Sequence, residues 1–152
     1  MLFRFGIALI LGAIIGIERE LVGKEAGVRT EMVVAGGASI FAMIGIVLPF
    51  IVVGPYAAGP VPSEAALIGG FGVIASIVTG IGFLGAGLII KMNDHPRGIT
   101  TAALVWTTAG IGVLAGIGLI QFAAAAAFVI TILLYILRKL DVSERLERRS
   151  GQ

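Results

Sequence analysis

Basic residues in this chain are confined to short islands separated by long apolar stretches. Ten of the eleven lysine and arginine residues lie in three segments, 18–30, 91–98 and the carboxy-terminal segment from 138. The hydrocarbon core of a bilayer is about 30 Å thick, and a helix needs about 20 mostly apolar residues to cross it. The stretch between each pair of successive islands is long enough to cross twice. This spacing predicts an all-α, polytopic transmembrane helix bundle with five spans.

Composition supports a membrane protein. The chain is 58% hydrophobic and 13% charged, with 23 glycines among 152 residues, and its mean hydropathy is +1.08. A soluble domain of this size could not bury so much apolar surface. The predicted spans are 1–17, 31–53, 64–90, 99–117 and 120–140, and a short charged tail covers 141–152.

Two boundaries between spans depend on helix-breaking residues. The second span is expected to end at a run of prolines in an external loop, Pro49, Pro55, Pro60 and Pro62. The stretch 99–140 would be about 63 Å long as one helix, too long for a single crossing. We therefore predict a tight turn near Gly116, Gly118 and Gln121.

The distribution of basic residues also predicts an orientation. The three islands fall on one side of a five-span bundle, and Arg4 alone falls on the other. Cytoplasmic loops carry the excess of lysine and arginine in membrane proteins. The amino terminus is therefore expected outside and the carboxy terminus in the cytoplasm. The net charge of +2 follows from this orientation and gives no reason to expect a nucleic acid partner.

Small residues recur at four-residue spacing on three of the predicted spans. The stripes are Ala8, Gly12 and Gly16 in the first, Gly72, Ser76 and Gly80 in the third, and Thr108, Gly112 and Gly116 in the fourth. In lipid, small residues let two helix backbones approach closely. We interpret the stripes as contact surfaces of the bundle. Thr101 and Thr108, one heptad apart, add hydroxyls that can hydrogen bond across helices or back to the backbone.

The glycine-rich segment 80–87 allows two interpretations. Its glycines, Gly80, Gly82, Gly85 and Gly87, match the dinucleotide-binding pattern letter for letter, but that pattern requires a preceding strand and a soluble helix. The first interpretation is close helix packing. The alternative is a broken helix whose backbone lines an ion or substrate path at mid-membrane.

Charged residues collect at the cytoplasmic ends of the predicted spans, and none lies near the middle of a span. The cluster comprises Glu18, Arg19, Glu20, Arg29, Glu31, Asp94 and Arg97. We interpret it as an interfacial ion-pair network, with Glu31 also suited to a helix start. The alternative is a regulatory cation site formed by Glu18, Glu20 and Asp94. Trp106, deep in the fourth span, is expected to fill a wedge between helices.

An enzyme is not expected. The chain has one histidine and no cysteine, and its serines are scattered over different spans, so no nucleophile, base and orienting group can be assembled. No cofactor is required by this pattern. Mg²⁺ is possible only as a ligand or a passenger.

Three segments together resemble the amino-terminal membrane domain of the MgtC/SapB family. They are Gly16-Ile-Glu-Arg-Glu20 with Gly27-Val-Arg-Thr30, the glycine-rich segment 80–87, and Arg97-Gly-Ile-Thr-Thr-Ala-Ala-Leu-Val-Trp106. The resemblance spans nearly all of residues 1–140. Relatives commonly carry a basic and a longer polar side chain where this chain has Gly72 and Ser76, and many continue into a soluble carboxy-terminal domain.

The resemblance implies a small multi-pass protein of the bacterial or archaeal inner membrane, associated with adaptation to low magnesium. Combined with packing stripes and the lack of charge inside the spans, it favours a regulator that binds itself, as a homodimer, and other membrane proteins. The alternative is a transporter or channel for Mg²⁺ or another cation.

Overall fold

Five helices and one short hairpin make up the described chain. The structure, a computed structural model, describes residues 1–52, 63–92 and 95–150. The elements are α1 (Leu2–Leu21), α2 (Val28–Val52), α3 (Ser63–Leu88), β1 (Ile90–Met92), β2 (His95–Arg97), α4 (Ile99–Ile117) and α5 (Ile120–Ser150). The two strands pair antiparallel between α3 and α4, with Lys91 opposite Pro96. The helical fold class is confirmed, and most of the expected external loop lies outside the described residues.

Four of the helices are long and apolar enough to cross a membrane. These segments are Val28–Val52, Ile68–Leu88, Ile99–Ile117 and Ile120–Leu140. The first helix, α1, is more polar, because it carries Arg4 near its start and Glu18, Arg19 and Glu20 near its end. Its central part is apolar and packs against α2, α4 and α5.

Large apolar side chains face outward in this bundle, and small ones face inward. Alanine is the commonest residue among the buried hydrophobic positions, whereas Phe83 is 85% exposed and Phe71, Phe122 and Phe128 are also exposed. In water this arrangement would expose a large apolar surface to the solvent. In lipid the outer side chains are solvated by acyl chains, and the small inner residues allow close helix contact. The distribution therefore fits a bilayer as the solvent.

The glycine stripe of α1 packs against the amino-terminal part of α2. A Cβ added at Gly12 would lie 2.5 Å from the carbonyl oxygen of Glu31, and one at Gly16 would lie 2.5 Å from the Cα of Val28. As the residue number rises along α1, the number of the contacted residue on α2 falls, so the two helices are antiparallel. Their backbones touch, as expected for this stripe.

The glycine stripe of α4 packs further along the same face of α2, and both stripes reach Ala35. A Cβ added at Gly112 would overlap the carbonyl oxygen of Ala35, and one at Gly116 would lie 2.6 Å from the carbonyl oxygen of Ser39. Both pairs advance in the same direction, so α2 and α4 are parallel. One face of the central helix α2 thus contacts the glycine stripes of both α1 and α4.

A tight turn joins α4 to α5 at the expected position. Gly118 ends α4 in the left-handed region, with φ of 98°, where a residue without Cβ is favoured. The Arg4 guanidinium donates a hydrogen bond of 3.1 Å to the Gly116 carbonyl oxygen. A cation at a helix carboxy terminus also interacts favourably with the helix dipole. Arg4 therefore connects the start of α1 to this turn.

The second helix ends close to the predicted limit of its span at 53, but Pro49 does not break it. Pro49 lies inside α2, which continues to Val52, and does not begin the loop. A proline inside a helix leaves one backbone carbonyl group without its intrahelical hydrogen bond, and neighbouring helices can shield that group from lipid. Its ring packs against α3, where a Cβ at Gly69 would lie 3.3 Å from Pro49 Cγ.

Candidate functional site

The expected stripe on α3 does not pack as the other two do. A Cβ added at Gly72, Gly80, Gly82 or Gly87 would meet no atom of the described residues within 4 Å, and Gly85 makes only ordinary contact with Ala102. The helix is continuous through 80–87, so the broken-helix alternative has no support here. The Ser76 hydroxyl donates to the carbonyl oxygen of Gly72 in its own helix at 2.9 Å. This face of α3 is therefore open within one chain.

The open face of α3 and one side of α2 form a long apolar groove. Its volume is about 690 Å³. It is lined by small and apolar residues of both helices, among them Gly37 and Phe41 of α2 and Gly72, Ser76 and Gly80 of α3. A groove of this kind can accept an apolar helix or acyl chain, and it offers little to a hydrated ion.

Trp106 does not fill a wedge between helices, so that expectation was wrong. Its side chain is 51% exposed and lines a second groove formed by α3, α4 and α5. The interior beside α4 is occupied instead by small residues such as Ala109, which let the helices approach too closely for an indole ring to enter.

Ionisable side chains are buried where the end of α1 meets the beginning of α2. Glu18 and Arg19 are 7% and 5% exposed, and Glu31 is completely buried. The Arg19 Nε donates to Glu18 Oε2 at 2.7 Å, and this is the only ion pair within the described ranges. The carboxylate of Glu31 faces Arg19 and the hydroxyl of Thr108, but neither oxygen makes a hydrogen bond. Of the expected interfacial ion-pair network, the described residues show one buried pair beside an unpaired glutamate.

Thr101 and Glu25 connect α4 to the loop between α1 and α2. The Thr101 hydroxyl, which is buried, donates to Glu25 Oε2 at 3.2 Å. A hydrogen bond from the Glu25 backbone, and to a smaller extent the hydrogen bond from Thr101, hold the pKa of the Glu25 carboxyl below its ordinary value. This stabilisation is present near neutral pH and is lost as the pH falls through the lowered pKa. Thr101 therefore bonds to the loop between α1 and α2, whereas the expectation was a bond to another helix or to its own backbone.

Glu20 caps the amino terminus of α2. The Val28 amide, which begins the helix, donates to Glu20 Oε2 at 3.0 Å. A carboxylate at this position satisfies an unpaired amide and interacts favourably with the helix dipole. A Cβ at Gly27 would lie 2.9 Å from the same carboxylate oxygen, so this glycine makes room for the cap.

Replacing this cap should weaken the fold modestly. We expect Glu20→Ala to lower the free energy of unfolding by about 1 kcal/mol, the usual effect of losing a cap. Chemical unfolding of the purified protein in detergent measures this change. Arg29→Ala, which removes an exposed charge on the first turn of α2, is the matched control and should have a smaller effect. Equal stability of Glu20→Ala and the unmodified chain would contradict the capping role.

The proposed cation site is not assembled within the described residues. Asp94 lies outside them, Glu18 is paired with Arg19, and Glu20 caps α2. The described residues contain no group of three histidine or acidic side chains arranged to hold a metal. Arg29 and Arg97 are exposed. A metal site that includes Asp94 remains a prediction.

Sequence reasoning missed the burial of Glu31. The signal lies in its register: Glu31, Ala35 and Ser39 form one stripe of α2 at four-residue spacing, directly opposite the α4 stripe. A residue on that stripe faces the glycine stripes of α1 and α4, whatever its charge. The three helices thus bring Glu31 and Thr108 together in the interior.

The family model and the curated relatives that match this chain all belong to one family. The MgtC family model matches residues 5–143. Curated relatives include Protein MgtC of Salmonella typhimurium (strain LT2), 39% identical over 132 residues, covering 87% of this chain and 50% of that protein. Protein MgtC of Brucella abortus (strain 2308) is 41% identical over 133 residues, covering 88% of this chain and 49% of that protein. No solved structure matches the chain.

These relatives are longer than this chain. The chain spans about half the length of the curated relatives it matches, for example 57% of Protein MgtC of Salmonella typhi. The match nevertheless covers almost the whole helical bundle described above. The resemblance found in the sequence is confirmed: this chain belongs to the MgtC family.

Proposed function

We propose that this protein acts in adaptation to low magnesium by binding and modulating other proteins of the inner membrane. The observation that carries the proposal is the apolar groove between α2 and α3, which is lined by glycines together with larger apolar residues. A helix with a smooth face could enter it and approach the α3 backbone at Gly72 and Gly80, where one chain leaves open space. Such close approach is the main source of helix affinity in lipid.

The orientation and the oligomer form part of this proposal. The basic islands favour a cytoplasmic carboxy terminus, which places the buried pair Arg19–Glu18 near the cytoplasmic face. A second copy of the chain can supply a helix for the groove, so the expected homodimer is included.

A substitution that fills the groove tests partner binding. We expect Gly80→Phe to leave the fold intact, because the space beside Gly80 is open, and to place a ring where the partner helix would enter. In cells that depend on this protein for growth at low magnesium, the variant should fail to restore growth. Photo-crosslinking from position 41 should also lose its partner product.

Gly82→Phe is the matched control for this experiment. Gly82 has equally open surroundings but does not line the groove, so the variant should restore growth and keep the crosslink. If both variants restored growth fully at normal protein levels, the groove would not be the binding surface.

The second candidate is a cation transporter. Its support is the family association with magnesium and the glycine-rich segment 80–87. The continuous helix through that segment and the apolar lining of the groove make it the weaker candidate. Purified protein in liposomes should show no Mg²⁺ flux above protein-free vesicles; flux abolished by substitution at Gly82 or Gly85 would reverse this ranking.

A further inference from the structure

The interior between α1, α2 and α4 holds polar atoms with no partner. Both carboxylate oxygens of Glu31 and the Thr108 hydroxyl are fully buried and make no hydrogen bond within the part of the chain described. A buried ionised carboxylate without hydrogen bonds is strongly disfavoured, more so when lipid surrounds the protein. Something must therefore neutralise Glu31.

The buried charges do not balance if Glu31 is ionised. Arg19 supplies one positive charge, and Glu18 already engages its Nε at 2.7 Å. One arginine can balance only one of two buried carboxylates, so an ionised Glu31 beside the Arg19–Glu18 ion pair would leave one negative charge uncompensated. A neutral Glu31 leaves the cluster balanced.

The helix backbones beside Glu31 lie in close contact. At Gly12 a single added Cβ would come within 2.5 Å of the Glu31 carbonyl oxygen, and at Gly112 one would overlap the backbone of Ala35. A metal ion needs several oxygen ligands and room for them. The described residues provide no group of three acidic or histidine side chains for one. A proton needs no additional space, and a protonated carboxyl can donate to Thr108 Oγ1.

We propose that Glu31 is a proton-binding site, carrying one proton per chain, and that releasing this proton requires α2 to separate from α1 or α4. The proposal concerns the interior of the bundle and is independent of which partner occupies the groove.

The charged groups around Glu31 are few. On α1 they are Glu18 and Arg19, and on α4 the facing group is the neutral Thr108. Arg29 on α2 and Glu25 in the preceding loop are exposed. At the same end of α5, Arg138 and Lys139 are also exposed. None of these exposed groups neutralises the buried Glu31 carboxylate in place of a proton.

Infrared spectroscopy of the full chain in lipid nanodiscs at neutral pH tests the proposal. We expect a carbonyl stretch of a neutral carboxyl that shifts when glutamate is labelled with ¹³C. The band should be lost in Glu31→Gln and kept in Glu20→Gln, which alters an exposed glutamate. In D₂O its deuterium shift should be slow in the unmodified chain, because helix separation limits access.

Each other outcome overturns the proposal. Absence of the band from the unmodified chain would show that Glu31 is ionised. Survival of the band in Glu31→Gln would assign the proton to Glu18. A carboxylate signal from Glu31 that changes between sodium and choline salts would show a bound cation instead. Immediate deuterium exchange would show that the proton can leave without separation of the helices. Because the first measurement uses the unmodified protein, the test does not depend on a variant folding.

Discussion

Gly112→Leu is expected to prevent assembly of the folded bundle. Even a Cβ at this position would overlap the carbonyl oxygen of Ala35, and backbone atoms cannot move aside as a flexible side chain can. Extra methylene groups in a packed core typically cost about 1–3 kcal/mol. A clash with the backbone of the central helix should exceed about 3 kcal/mol, a large fraction of the stability of a domain. Thermal unfolding in detergent and the yield of monodisperse protein measure the loss.

Gly110→Leu provides the control on the same helix. The space beside Gly110 is open, and the residue is exposed, so leucine there would face lipid. We expect this variant to match the unmodified chain in yield and thermal stability. If Gly112→Leu were as stable as Gly110→Leu, α4 could not pack on α2 as described.

Arg19→Met is expected to produce the second large loss. Arg19 and Glu18 form a buried ion pair, with side chains 6% and 8% exposed. Removing one partner leaves a buried charge uncompensated, which typically costs about 3–5 kcal/mol. The free energy of unfolding in detergent, compared with that of Arg29→Met on the exposed surface, measures this effect.

The double variant Glu18→Gln/Arg19→Met should recover most of that stability. Replacing both partners removes the charges together, and such replacements are often neutral. The recovery also requires that Glu31 be uncharged, because an ionised Glu31 would lose its nearest cation in both variants. A double variant as unstable as Arg19→Met would contradict the pairing, the neutral state of Glu31, or both.

The spacing of charges predicted the helical architecture because lipid imposes a simple rule on the sequence of a membrane protein. Each crossing requires a long apolar segment, and Gly118, with its left-handed backbone, marks the turn within the longest one. The stripes on α1 and α4 were also predictable, since Gly12 and Gly112 have the spacing that lets helices approach in lipid.

The rest could not be predicted, for three physical reasons. A stripe of small residues indicates that a backbone can be approached, but not whether the partner belongs to the same chain, so the open face at Gly72 and Gly80 looked the same as the packed faces. Outward-facing aromatic residues are also favourable in lipid, so hydrophobicity did not indicate whether Trp106 was buried. Glu31 lies at a helix start, where exposure to the interface was the simpler expectation.

The contact between α1 and α2 is the most direct test of the central claim that the glycine stripes of α1 and α4 pack on one face of α2, beside a buried carboxyl. Solid-state NMR of the unmodified chain in lipid, with ¹³C at glycine Cα and at the glutamate backbone carbonyl, can detect it. We expect a through-space cross-peak between Gly12 and Glu31 that disappears in Glu31→Gln and persists in Glu20→Gln. Absence of this cross-peak from spectra that do show the intrahelical glycine–glutamate pairs would contradict the account.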